Sequence, residues 1–224
     1  MAFLMSRCLG LVTPDPGAAM AFYVSTFGME PIGDETIELQ AGPLNLFIDP
    51  GKSRPMVFEL ITDDLADARA AVRTMGFEEL VWRGPDQSCL VRDPFGLVLN
   101  IHEDRALFLP LDLEATDDQY FKPCVGALTP APCDLAEFYS RVLDAPYSRL
   151  PGGSYIVDSG PIRLRFRRGI STTPMVWLKS DAPVEQFGLA GCMVTDAGVM
   201  TDPYGVHWCT ETITAAPLAA VCPL

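Results

Sequence analysis

The chain is poor in the residues that make many sites easy to recognise. It has two histidines, His102 and His207, in 224 residues. Sixteen basic residues face 29 acidic ones, for a net charge of −13. That balance argues against nucleic acid, whose phosphates repel an acidic surface. No run of about 18 uncharged apolar residues occurs, so no membrane-spanning helix is expected. The start, MAFLMSRCLGLV, lacks the length and charge of a secretory signal, and a cytoplasmic location is expected. Seven cysteines make an odd count without regular spacing, which fits reduced thiols better than a disulfide framework.

What the chain does have is an internal repeat. CLGLVTPDP at 8–16 returns as CVGALTPAP at 124–132, and Phe22-Tyr23 returns as Phe138-Tyr139 at the same distance downstream. GPLNLF at 42–47 pairs with GPIRLRF at 160–166, PMVFEL at 55–60 with PMVWLK at 174–179, and DPFG at 93–96 with DPYG at 202–205. The interval between the last two motifs is about ten residues shorter in the second copy, so its helix there is expected to be shortened or lost. Two domains follow, residues 1–105 and 118–212, with a linker over 106–117 and a tail over 213–224.

Within one copy, residues 7–13 read as a buried strand broken at Pro14-Asp15-Pro16. Asp15 is placed to cap a helix with Pro16 at its first position, and Gly28 to stop it. Strands follow over Thr36–Ala41, Leu44–Asp49 and Met56–Thr62, then a helix from Leu65 to Met75 and three more strands ending at Leu97–His102.

AMAFYVSTFGM, DPFGLVLNIHE, CDLAEFYSRVLDA and DPYGVHWCTE, in this order, resemble the opening and closing elements of vicinal oxygen chelate domains. That superfamily includes glyoxalases, bleomycin-resistance proteins and extradiol dioxygenases. The resemblance implies an α+β fold: tandem βαβββ modules forming two glyoxalase-like domains with cup-shaped mixed sheets. It also implies positions for a divalent metal. Those positions fall on Cys8, Asn100 and a residue near Val57 in the first copy, and on Cys124, Cys209 and a residue near Val176 in the second. None is a usual ligand of the family, so no cofactor is expected, with Zn or Cu at Cys124, Cys209 and His207 as the alternative.

Strand alternation puts Asn100 and His102 on one face, and His207 and Cys209 on one face. It also puts Arg163, Arg165 and Arg167 toward the second cup, opposite the apolar Ile162, Leu164 and Phe166. An arginine row there suits an anionic ligand, although arginines also guard exposed strand edges. Three functions stay open: a bleomycin-resistance-like protein that binds a small molecule without the usual metal, a lyase, isomerase or dioxygenase-type enzyme with a thiol-containing centre, and a scaffold with filled cups. The partners expected are a small-molecule ligand, with neither nucleic acid nor membrane, in a monomer or homodimer.

Overall fold

The structure is a computed structural model, which describes residues 3–32, 37–84, 89–104, 121–159, 162–178, 184–195 and 198–210. The expected linker (106–117) and tail (213–224) lie outside these residues.

The first half runs β1 (Phe3–Thr13), α1 (Pro16–Phe27), β2 (Glu30–Pro31), β3 (Glu38–Ala41), β4 (Leu44–Pro50), β5 (Arg54–Thr62), α2 (Leu65–Thr74), β6 (Glu78–Trp82), β7 (Cys89–Arg92) and β8 (Val98–Glu103). The second half repeats it as β9 (Phe121–Thr129), α3 (Pro132–Leu143), β10 (Tyr147–Arg149), β11 (Tyr155–Asp158), β12 (Arg163–Arg168), β13 (Thr173–Leu178), α4 (Val184–Leu189), β14 (Met193–Val194), β15 (Val199–Thr201) and β16 (His207–Thr210). Each half forms one eight-stranded mixed sheet, ordered β2-β3-β4-β1-β5-β8-β7-β6 and β10-β11-β12-β9-β13-β16-β15-β14. In each, the two modules meet at an antiparallel seam, β1 with β5 and β9 with β13.

Local signals in the chain account for the helix ends. The Asp15 carboxylate accepts the Ala18 N–H at 2.9 Å, Pro16 opens α1, and Gly28 closes it in the left-handed region at φ 66°. Asp64 caps α2 by accepting from Ala66 and Asp67. In the second half Ala131 stands in place of Asp15 and α3 starts without a side-chain cap. The helix α4 has six residues against ten in α2. Among the described residues no helix is long and apolar enough to cross a membrane.

The helix-bearing faces of both sheets contribute to one continuous core that joins Tyr23, Phe27, Phe58 and Leu99 to Tyr139, Phe166, Val176 and Trp208. The Phe-Tyr pairs cross between the halves. From α1, Tyr23 donates to the Asp202 carboxylate at 2.7 Å and Phe27 stacks on Trp208. From α3, Tyr139 donates to Asp93 at 2.8 Å and Phe138 packs on Phe77 and Phe95. Each Asp of Asp-Pro-x-Gly thus closes its own turn through two backbone N–H groups and accepts a phenol from the other half. Asp202 also accepts from Trp208 Nε1 at 2.9 Å. Burial pushes both carboxyls above their ordinary range, and these hydrogen bonds pull back.

Candidate functional site

The face of each sheet opposite this core is the cup. In the first cup, β1, β4, β5, β7 and β8, with Asp104 just past the end of β8, line a cavity of about 380 Å³ with Cys8, Gly10, Phe47, Asp49, Arg54, Val57, Glu59, Leu90, Asn100 and His102. The strand registers put Cys8, Asn100 and His102 here together.

Glu59, absent from the sequence reading, ties the floor together. Its Oε1 accepts from Ser6 Oγ at 2.9 Å and its Oε2 from Asn100 Nδ2 at 3.0 Å. The Ser6 hydroxyl is held by the Cys8 N–H, and the Asn100 carbonyl by the Cys89 N–H, so both donors are anchored on backbone. One signal for Glu59 was available: it is the single charged residue in the otherwise apolar MVFELI of β5, two positions from Val57 and so on the same face. The Cys8 thiol is pushed up to about 11, first by burial and further by Glu59 and Glu38. It is therefore protonated at neutral pH and a poor nucleophile, which weakens a thiol-based centre at this position.

The second cup is built on the same ladder with other side chains. Gly126 stands opposite Met175 as Gly10 stands opposite Val57. Trp177 pairs with Cys209 as Glu59 pairs with Asn100. The motif match of Val57 with Val176 is thus one residue out of step: Val176 lies in the helix-side core, and Met175 takes the cup position. Met175 and Trp177 are fully buried at 0% exposure and pack with Cys124, Val199, Cys209 and Leu128. Arg165 lies over the Trp177 ring, 5.5 Å from its centroid, and donates to Ser154 Oγ at 3.0 Å. Arg167 approaches Cys209 Sγ at 3.6 Å. Both turn toward the cup, whereas the exposed Arg163 meets Asp158 at 3.5 Å on the neighbouring strand. His207 opens elsewhere, into a cleft of about 350 Å³ with Arg54, Pro174 and Tyr204 at the seam between the halves. Its Nδ1 lies 3.0 Å from Thr201 Oγ1, and burial lowers its pKa.

Two eight-stranded sheets, each with a parallel β1–β4 or β9–β12 pair and an antiparallel seam, match solved structures over nearly the whole chain. The Mn(II)-bound glyoxalase from Novosphingobium aromaticivorans superposes with a TM-score of 0.59 at 17% identity, over 93% of this chain and 82% of that one. This is a glyoxalase-like fold. Within that fold, 2,2',3-trihydroxybiphenyl 1,2-dioxygenase from Sphingomonas wittichii matches with a TM-score of 0.54 at 14% identity, over 94% and 91% of the two chains. Homoprotocatechuate 2,3-dioxygenase from Arthrobacter globiformis matches at 0.59 and 16%, over 94% and 80%. No family model and no curated protein matches the sequence.

These neighbours correct the cofactor expectation. The expectation of no cofactor, with Zn or Cu as the alternative, is at odds with a fold whose solved glyoxalase neighbour is Mn(II)-bound. The donors described here do not fit such an ion as they stand. Among the described residues no group of three or more His, Cys, Asp and Glu side chains is placed to hold a metal. In the first cup Glu59 is held by Ser6 and Asn100, neither of them a usual ligand of such an ion, and no two further described His, Cys, Asp or Glu side chains are placed with it to complete a metal shell.

Proposed function

We propose that the chain binds a small organic molecule in its first cup, with Glu59, Cys8, Asn100 and His102 among the contacts. The observation that carries this reading is the cavity of about 380 Å³ that joins the apolar Phe47, Val57 and Leu90 to an oriented carboxylate. That mixture of apolar wall and few fixed polar groups is what small-molecule sites have in common. A guest in the second cup has to displace buried Met175 and Trp177, so the proposal rests on the first cup alone.

Native mass spectrometry of freshly purified protein, run beside elemental analysis, tests the reading. The expected result is an organic adduct that Val57→Phe removes by narrowing the cavity. About one Mn, Fe or Ni per chain, lost in Glu59→Ala, would replace it with a metal-dependent reading.

A further inference from the structure

Resting on that reading, we infer that Glu59 anchors the ligand of the first cup and that the ligand is a protonated amine on an apolar body. An ionised carboxylate offers roughly four lone-pair directions on its two oxygens. Ser6 takes one direction on Oε1 and Asn100 one on Oε2, and the half-buried side chain lines the cavity, where the remaining directions can be met by a guest. Because Ser6 and Asn100 are themselves held by backbone groups, the carboxylate is fixed before a guest arrives and little ordering entropy is lost on binding.

The charges around it select the sign of that guest. Asp49, Glu59 and Asp104 line the cavity against Arg54 as the one guanidinium among its lining residues, with His102 beside them. A carboxylate guest meets like charge at contact distance, and an ammonium meets opposite charge. The Phe47 ring adds an aromatic face of the kind that attracts cations, and Val57 and Leu90 supply wall for an apolar body. The second cup lacks each part: Trp177 stands at the ladder position of Glu59, and Arg165 and Arg167 at those of Phe47 and Asp49.

Calorimetric titration of the full chain with phenethylamine, phenethyl alcohol and hydrocinnamate reads this directly, since the three differ mainly in the polar end. The amine is expected to bind about tenfold or more tighter than the alcohol, with hydrocinnamate weakest, the range of a charge-assisted hydrogen bond. Glu59→Gln is expected to bring the amine down to the level of the alcohol, and Glu59→Asp to keep the preference. Hydrocinnamate binding as well as the amine, or Glu59→Gln leaving the ranking intact, overturns the inference. The wild-type ranking decides it even if Glu59→Gln does not fold. Equal binding of all three that Val57→Phe abolishes defeats the charge selection while the cup stays the site. No binding by any of them defeats both.

Discussion

The two cups have the same strand order and different contents. At one ladder position β5 presents Glu59 and β13 presents Trp177; one step along the same face they present Val57 and Met175. The smaller, charged pair leaves a cavity, and the larger, apolar pair becomes a second small core on the outer face of its sheet. The duplication therefore supplied two backbones for binding, and side-chain volume at two positions separates them. A buried indole contributes a few kcal/mol through apolar area alone, so filling a cup stabilises its half. The empty cup forgoes that stability and keeps a surface that a guest can use.

The sharpest test of this comparison is a matched glycine pair. A Cβ on Gly126 would sit 1.9 Å from the Arg165 carbonyl oxygen, which belongs to the parallel ladder and has nowhere to go. A Cβ on Gly10 would meet nothing nearer than Val57 Cβ at 3.8 Å. Gly126→Ala is expected to lose about 3 kcal/mol or more, beyond ordinary overpacking, and Gly10→Ala to stay within about 1 kcal/mol. Urea unfolding of the two variants measures both, and similar losses would erase the difference between the cups. The second test exchanges contents. Trp177→Ala should cost about 3–5 kcal/mol by leaving a cavity in a closed cluster, whereas Glu59→Ala should cost about 1 kcal/mol, because Ser6 and Asn100 then face a cavity open to water.

A gentler test concerns the crossed phenols. Tyr139→Phe removes the one side-chain donor described on Asp93, whereas Tyr23→Phe leaves Trp208 on Asp202. The first should cost the more of the two, within about 1–3 kcal/mol. Both tyrosines are raised above their ordinary value of 10.0, first by burial and then by the adjacent carboxylate. Unfolded tyrosine releases its proton near pH 10 and the folded side chains hold theirs. Stability is therefore unaffected below that pH and falls as pH rises above it, by about 1.4 kcal/mol per unit for each tyrosine. Each Phe variant should flatten that slope, and an unchanged slope between pH 10 and 11 would count against burial as its cause.

Much of this was readable along the chain because it depends on neighbours in sequence. Asp15, Pro16 and Gly28 set the ends of α1 through contacts within a few residues. Alternation placed Arg165 and Arg167 on the cup face because the period of a strand is local. Val176 was misplaced because matching PMVF to PMVW aligns letters, and the seam between β9 and β13 runs one residue out of that match. A slip of one residue turns a side chain to the other face of a sheet, so Val176 went to the core. Glu59 involves no slip; its role depends on Ser6 and Asn100, which reach it from two other strands.

By itself, then, the sequence determined the duplication, the order of elements, the ends of α1 and the alternation of side chains along a strand, all of which follow from short-range spacing. Tertiary structure alone decided three things. It crossed Tyr23 to Asp202 and Tyr139 to Asp93, pairs that no local pattern links. It brought Ser6, Glu59 and Asn100 onto one floor from three strands. It also left the first cup open and the second packed, because whether a strand face becomes a cavity depends on the volume of side chains arriving from every strand around it.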